Sequence, residues 1–358
     1  MKKILLLAAV AALFSACESP SYNINGSVAD PNLNGKYVYL QKFGNEPMDS
    51  TLVENNKFNF TGTVEFPELY SIRFASDVVK PQRTNFGLFS PYTITFTLNN
   101  NDYSAELSEI SFITGDPEVN EYMDMQQQVC DLFDKMKEHR DNKLKEEYDR
   151  LSDSIINIQK DYISANTDKM MAARLFYELR YDTEEQFQHD IISKADETFK
   201  SAPRIDKLIE HLEVLKSVAV GKTFKDIELT DVDGKTHKLS DYVGKDKVVL
   251  IDFWASWCAP CRAEMPNLVK LYDKYKNDGF EIIGISLDNS KEDWINGTKN
   301  LKITWPQFSD LLGWKSKAGG LYGVNSIPHT ILVDKNGVIV AKNLHGEDVE
   351  KELLKLIK

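Results

Sequence analysis

Two thiols separated by two residues, in Trp257-Cys258-Ala259-Pro260-Cys261, are the strongest chemical signal in this 358-residue chain. Three residues apart on a helix, their Cα atoms would lie roughly 5 Å from each other, within reach of a disulfide that opens and closes without moving the backbone. The same spacing is half of a zinc site, but zinc needs two further ligands. Cys17 and Cys130 are the other cysteines, and the six histidines form no HxxxH-type pair. The pair therefore reads as a redox couple with no metal. Two carboxylates flank it. Asp252 is a lone acid in an apolar run, where burial should raise its pKa toward the working range of a general base. The plainer alternative is a structural hydrogen bond at a strand end. Glu264 follows Cys261 by three residues and is either a proton handler or an acid favoured by the dipole of a first helical turn.

The elements that must hold these groups are legible nearby. Val248-Val249-Leu250-Ile251-Asp252-Phe253-Trp254 is short and β-branched, the pattern of a buried parallel strand. Beyond the cysteines, Met265, Leu268, Val269 and Tyr272 recur at helical spacing. The CxxC thus sits where a strand hands over to a helix. There, unpaired backbone N–H groups and the macrodipole favour a thiolate, and Pro260 is tolerated because its missing N–H has no helical partner. Cys258, most exposed to the dipole, is the expected nucleophile. Cys261, deeper in the helix, would resolve the mixed disulfide.

The stretch from Ile251 to Pro266 resembles the active-site segment of the thioredoxin superfamily, nearest to the membrane-tethered TlpA/ResA-like thiol–disulfide oxidoreductases. The resemblance covers residues 219–358 and implies a thioredoxin fold whose redox group is the Cys258–Cys261 disulfide, with no other cofactor. It also implies a cis-proline facing the cysteines, which Ser326-Ile327-Pro328-His329-Thr330 supplies as Pro328. Trp257, Pro260 and Pro328 are then the expected substrate contacts. Asp252 matches the buried acid of thioredoxin itself, and Glu264 matches the acid of the ResA-like branch, so the chain carries both. His329 reads as a neutral strand residue.

A formal charge of −12, more negative still without Lys2 and Lys3, argues against nucleic acid and against electrostatic docking on anionic lipid. Residues 1–17 read as a signal segment. Lys2-Lys3 precedes an apolar stretch too short to span a bilayer, and Leu13-Phe14-Ser15-Ala16-Cys17 resembles a bacterial lipobox. Cys17 would become the acylated N-terminus and lipid anchor. That places the protein in the cell envelope, facing the periplasm, an oxidising compartment where a reductase needs an electron supply. Cys130, beside a helical apolar stripe, reads as a small buried hydrophobe.

The remaining chain makes this a multidomain protein. Residues 22–114 carry alternating, β-branched and aromatic segments separated by Asn34-Gly35, Asn55-Asn56 and Asn99-Asn100, the pattern of a small antiparallel sandwich or barrel. They resemble an uncharacterised β domain found ahead of thioredoxin domains in Bacteroidetes lipoproteins. Residues 117–217 switch to a 3.6 period with high charge and predict four or five amphipathic helices. Residues 219–358 form the C-terminal α/β domain. Residues 288–322 read as an insert with helical character containing Trp294, Trp305 and Trp314, most of which are expected in the core.

The function expected is thiol–disulfide exchange with protein disulfides, in the reducing direction, fed by a membrane thiol electron donor. Two alternatives stand beside it. One is a thiol peroxidase on the same fold, although the PxxxTxxC signature is absent. The other is a binding lipoprotein in which the first 200 residues hold a partner and the redox site is secondary.

Overall fold

The computed structural model describes residues 21–44, 47–84, 87–141 and 144–357, so the expected signal segment and Cys17 lie outside the described residues. Two compact units divide between Asp206 and Lys207.

The first unit opens with strands β1 (Tyr22–Val28), β2 (Tyr37–Lys42), β3 (Pro47–Leu52), β4 (Lys57–Gly62), β5 (Glu68–Phe74), β6 (Gln82–Thr84), β7 (Gly87–Phe89), β8 (Thr93–Leu98), β9 (Asp102–Leu107) and β10 (Phe112–Thr114). They build two four-stranded sheets, ordered β10-β9-β1-β4 and β3-β2-β5-β8, and a β6-β7 pair. Period-two patterning decides the faces: along β9, Tyr103, Ala105 and Leu107 are buried while the residues between them are exposed. One pairing corrects the antiparallel expectation. β1 and β9 run parallel, from Asn23 opposite Asp102 to Val28 opposite Leu107. Strands so far apart in sequence need no tight hairpin, and hydrophobic patterning does not distinguish the two directions.

Helices α1 (Pro117–Asp141), α2 (Lys145–Ala165), α3 (Met170–Glu178), α4 (Glu185–Lys194), α5 (Glu197–Ser201) and α6 (Ile205–Ser217) follow. Between α4 and α5 the chain breaks where Ala195 turns to extended geometry and Asp196 caps α5 through the Phe199 N–H. Pro203 sits in the turn before α6.

The second unit contains the hairpin β11 (Glu228–Thr230) and β12 (Thr236–Lys238), turned at Gly234 with φ +83°. Then come β13 (Val248–Trp254), α7 (Ala259–Tyr275), β14 (Phe280–Ser286), α8 (Lys291–Asn300), β15 (Gln307–Phe308), α9 (Lys317–Leu321), β16 (His329–Val333), β17 (Ile339–Lys342) and α10 (Glu347–Leu353). Five of these strands make one sheet, ordered β15-β14-β13-β16-β17. β13 pairs parallel with β14 and antiparallel with β16, which gives a β–α–β then β–β–α order. The short edge strand β15 lies in the insert and was not expected there.

All seven residues of β13 are buried, because the sheet is covered on both faces. Val248, Leu250 and Trp254 join a core with Cys258, Cys261, Met265 and Leu268 of the CxxC helix. Val249, Ile251 and Phe253 join a second core with Val218, Leu229 and Tyr322. Strand alternation therefore puts Asp252 on the same face as Leu250 and Trp254, the face that α7 covers. The buried stripe of α7 is Cys261, Met265, Leu268, Leu271 and Tyr275, with Val269 and Tyr272 only partly covered. The stripe is rotated slightly from the sequence expectation and carries the second cysteine inward.

Candidate active site

Cys258 is the N-cap of α7, its backbone extended at φ −76° and ψ 107°. The helix begins immediately after it, with Ala259 and an exposed Pro260 in the first turn. Its Sγ accepts a hydrogen bond from the Cys261 N–H at 3.2 Å, the place an oxygen holds at an ordinary N-cap. One of the helix's orphan donors thus points at this sulfur and would stabilise its thiolate. Cys258 and Cys261 are joined as a disulfide with Cα atoms 5.3 Å apart. Cys258 is 4% exposed and Cys261 1%. The first cysteine is therefore the more accessible of the two.

The peptide bond between Ile327 and Pro328 is cis. The Ile327 carbonyl oxygen lies 3.7 Å from Cys258 Sγ, so the loop before β16 brings backbone against the reacting sulfur. Pro328 itself is half-buried. His329, next along, is buried and faces the Phe253 ring at 6.0 Å. Burial, then the charges of Lys342 and His345, push its pKa down to about 4 and keep it neutral.

Asp252 is 2% exposed, and among the described residues its Oδ2 has no hydrogen-bond partner. Burial, helped by the negative charge of Glu264, pushes its pKa up to about 7. An acid poised there can take a proton near neutral pH. Glu264 is half-buried and accepts a hydrogen bond from the Gly346 N–H at 2.8 Å, just before α10.

The loop ahead of the cysteines is pinned. The buried Asp288 carboxylate accepts from the Ser256 N–H (3.1 Å), from Ser256 Oγ (2.7 Å) and from Ser286 Oγ (2.7 Å). Arg262 Nη1 donates to the Ser256 carbonyl at 2.9 Å, closing the clamp from the helix side. A Cβ on Gly297 of α8 would fall 2.8 Å from Ser256 Cβ, so that helix approaches the loop as closely as a glycine allows. Asp288 and Gly297 carried no signal in the sequence, because their contacts come from the folding of the insert.

The insert supplies one further surprise. Trp294 and Trp305 are buried, as expected of core residues. Trp314 is not: it is exposed, and its ring lies 6.0 Å from that of Trp257, tilted by 54°. Cys130 lies in the first unit on α1, half-buried, with no disulfide partner among the described residues. Burial, then Asp134 and Asp131, raises its pKa, the opposite of an activated thiol. The described residues hold no cluster of His, Cys, Asp and Glu fit for a metal ion and no helix long and apolar enough to cross a membrane.

Comparison with known proteins bears on both units. The AhpC/TSA family matches residues 220–342, and a domain of unknown function, DUF4369, matches residues 22–122. The thiol-disulfide oxidoreductase ResA of Geobacillus kaustophilus is 37% identical over 140 residues, 38% of this chain and 78% of that protein. ResA of Geobacillus thermodenitrificans is 35% identical over 140 residues, with the same coverage of each chain. Among solved structures, the thioredoxin domain of a thiol-disulfide oxidoreductase from Bacteroides vulgatus is 37% identical, with 40% of this chain and 100% of that one covered and a TM-score of 0.37. The C-terminal unit is thus thioredoxin-like, and the chain belongs to the family of the ResA-like thiol–disulfide oxidoreductases.

Proposed function

We propose that this enzyme reduces disulfides of protein substrates in the cell envelope, using Cys258 and Cys261 as its only redox group. The observation that carries the reading is the Cys258–Cys261 disulfide at the start of α7, with its outer sulfur capped by the Cys261 N–H and set 3.7 Å from the Ile327 carbonyl. In the reduced enzyme the Cys258 thiolate attacks one sulfur of the substrate disulfide. The substrate S–S bond breaks, a mixed disulfide forms, and the first substrate sulfur leaves as a thiolate. Cys261, its proton taken by Asp252 with Glu264 modulating it, then attacks Cys258 Sγ. That closes the ring and releases the second substrate thiolate, so two electrons pass from enzyme to substrate. Trp257, Pro260 and Pro328 line the approach. The backbone before Pro328 offers strand-like pairing to an incoming polypeptide.

Resetting the enzyme takes two electrons from a membrane thiol donor. Anchoring would come from acylation of Cys17, which labelled fatty acid should report and Cys17→Ser should abolish. Turnover of an insulin-disulfide reduction assay by the wild type, lost in Cys258→Ser, is the expected result. Failure of fully reduced wild type to reduce any protein disulfide overturns the reading. The AhpC/TSA match keeps a thiol peroxidase as the second reading; peroxide consumption that outpaces disulfide reduction would favour it.

A further inference from the structure

Trp314 is 56% exposed and Trp257 49% exposed, yet each ring has the other for a neighbour. Leaving two large aromatic faces in water beside a reacting sulfur has a steady hydrophobic cost, and such patches mark recognition sites. The platform is also built to hold still. Ser309 Oγ donates to the Ser286 carbonyl at 2.9 Å, tying the loop to the end of β14. Asp310 accepts from the N–H groups of Leu312 (3.1 Å) and Lys317 (2.8 Å), bracketing the tryptophan on both sides. Gly313, at φ +56°, packs so close to Asn289 that a Cβ would come within 2.4 Å of its Oδ1. A partner landing there need not order the loop first.

Resting on the thiol-exchange reading above, we propose that Trp314 is a specificity-determining residue, selecting polypeptide substrates with an apolar side chain next to the cysteine that Cys258 attacks. The occupant is a polypeptide for two reasons. Cys258 is 4% exposed, so a substrate sulfur reaches it only by coming over its rim. That rim pairs the aromatic platform beside Trp257 with a backbone carbonyl 3.7 Å from Cys258 Sγ. A small thiol or a peroxide can use neither feature. An extended chain uses both, pairing main chain with main chain and laying its neighbouring side chain on the rings.

The test compares two synthetic peptide disulfides, identical except for Phe or Ser beside the reactive cysteine, with the reduced full-length wild type, Trp314→Ala and Trp314→Phe. Covering part of the aromatic pair should give the Phe peptide a kcat/KM advantage of roughly tenfold in the wild type, carried mainly by KM. That preference should fall below about twofold in Trp314→Ala and largely persist in Trp314→Phe. Exchange with no preference, or a preference retained in Trp314→Ala, overturns this proposal and leaves the exchange reading standing. Absence of exchange with both peptides overturns the two together. A wild-type dimer in sedimentation that Trp314→Ala abolishes, with no peptide preference, overturns it in favour of a second copy of this chain as occupant.

Discussion

Cys258 and Cys261 differ in depth: the outer sulfur is capped by a backbone N–H, and the inner one is packed with Met265 and Leu268. Cys258→Ser should reduce disulfide exchange to background. Cys261→Ser should instead accumulate a mixed disulfide, visible as a reductant-sensitive band above the monomer in a gel. Asp252 adds a pH signature. Burial lifts its carboxyl from 3.8 to about 7, so between those values the folded chain keeps a proton that the unfolded chain has lost. Its contribution to stability is present at low pH and lost as pH rises through 7, by about 1.4 kcal/mol per unit. His329 opposes it. Held near 4 against an ordinary 6.5, it contributes stability above pH 6.5 that is lost on acidification. We predict that the gain in unfolding free energy from Asp252→Asn grows from pH 4 to 7 and then levels off, while Cys261 attack slows roughly a hundredfold. A gain that does not vary with pH would mean that this carboxyl titrates as it would in water.

At the scale of elements, the site is a junction between β13, α7, the loop before β16 and the insert. Asp288, itself buried, fixes that junction by accepting from three donors. Asp288→Ala strips their acceptor and should cost about 2–4 kcal/mol, read as a lower urea midpoint at unchanged slope. Gly297→Val, driven against Ser256, should cost about 1–3 kcal/mol and slow exchange as well. The strand-to-helix handover at the cysteines was legible because a continuous apolar run gives way to a 3.6 period within a dozen residues. The apolar β13 with its lone acid was legible for the same reason. Trp314 was not: its composition is that of a core residue, and only the Asp310 bonds and the Gly313 turn decide that it faces water. The parallel pairing of β1 with β9 was equally hidden, since alternation names the buried face and not the partner.

At the scale of the whole chain, the family match begins at residue 220, but the second unit begins earlier. Val218 is fully buried in its core, and Val214 and Leu215 stand against Gly323. A fragment starting at Pro203 should therefore fold more stably than one starting at Ala219, by about 2–4 kcal/mol in denaturant titration. Equal midpoints would exclude the end of α6 from that core. The recessed sulfur carries the last consequence. A couple whose contact lies below its own rim is selective: a partner that seats on that rim should exchange faster than one of equal driving force that does not. How fast this enzyme discharges is then governed by who can seat on it, so a measured rate against a convenient laboratory thiol says little about its driving force.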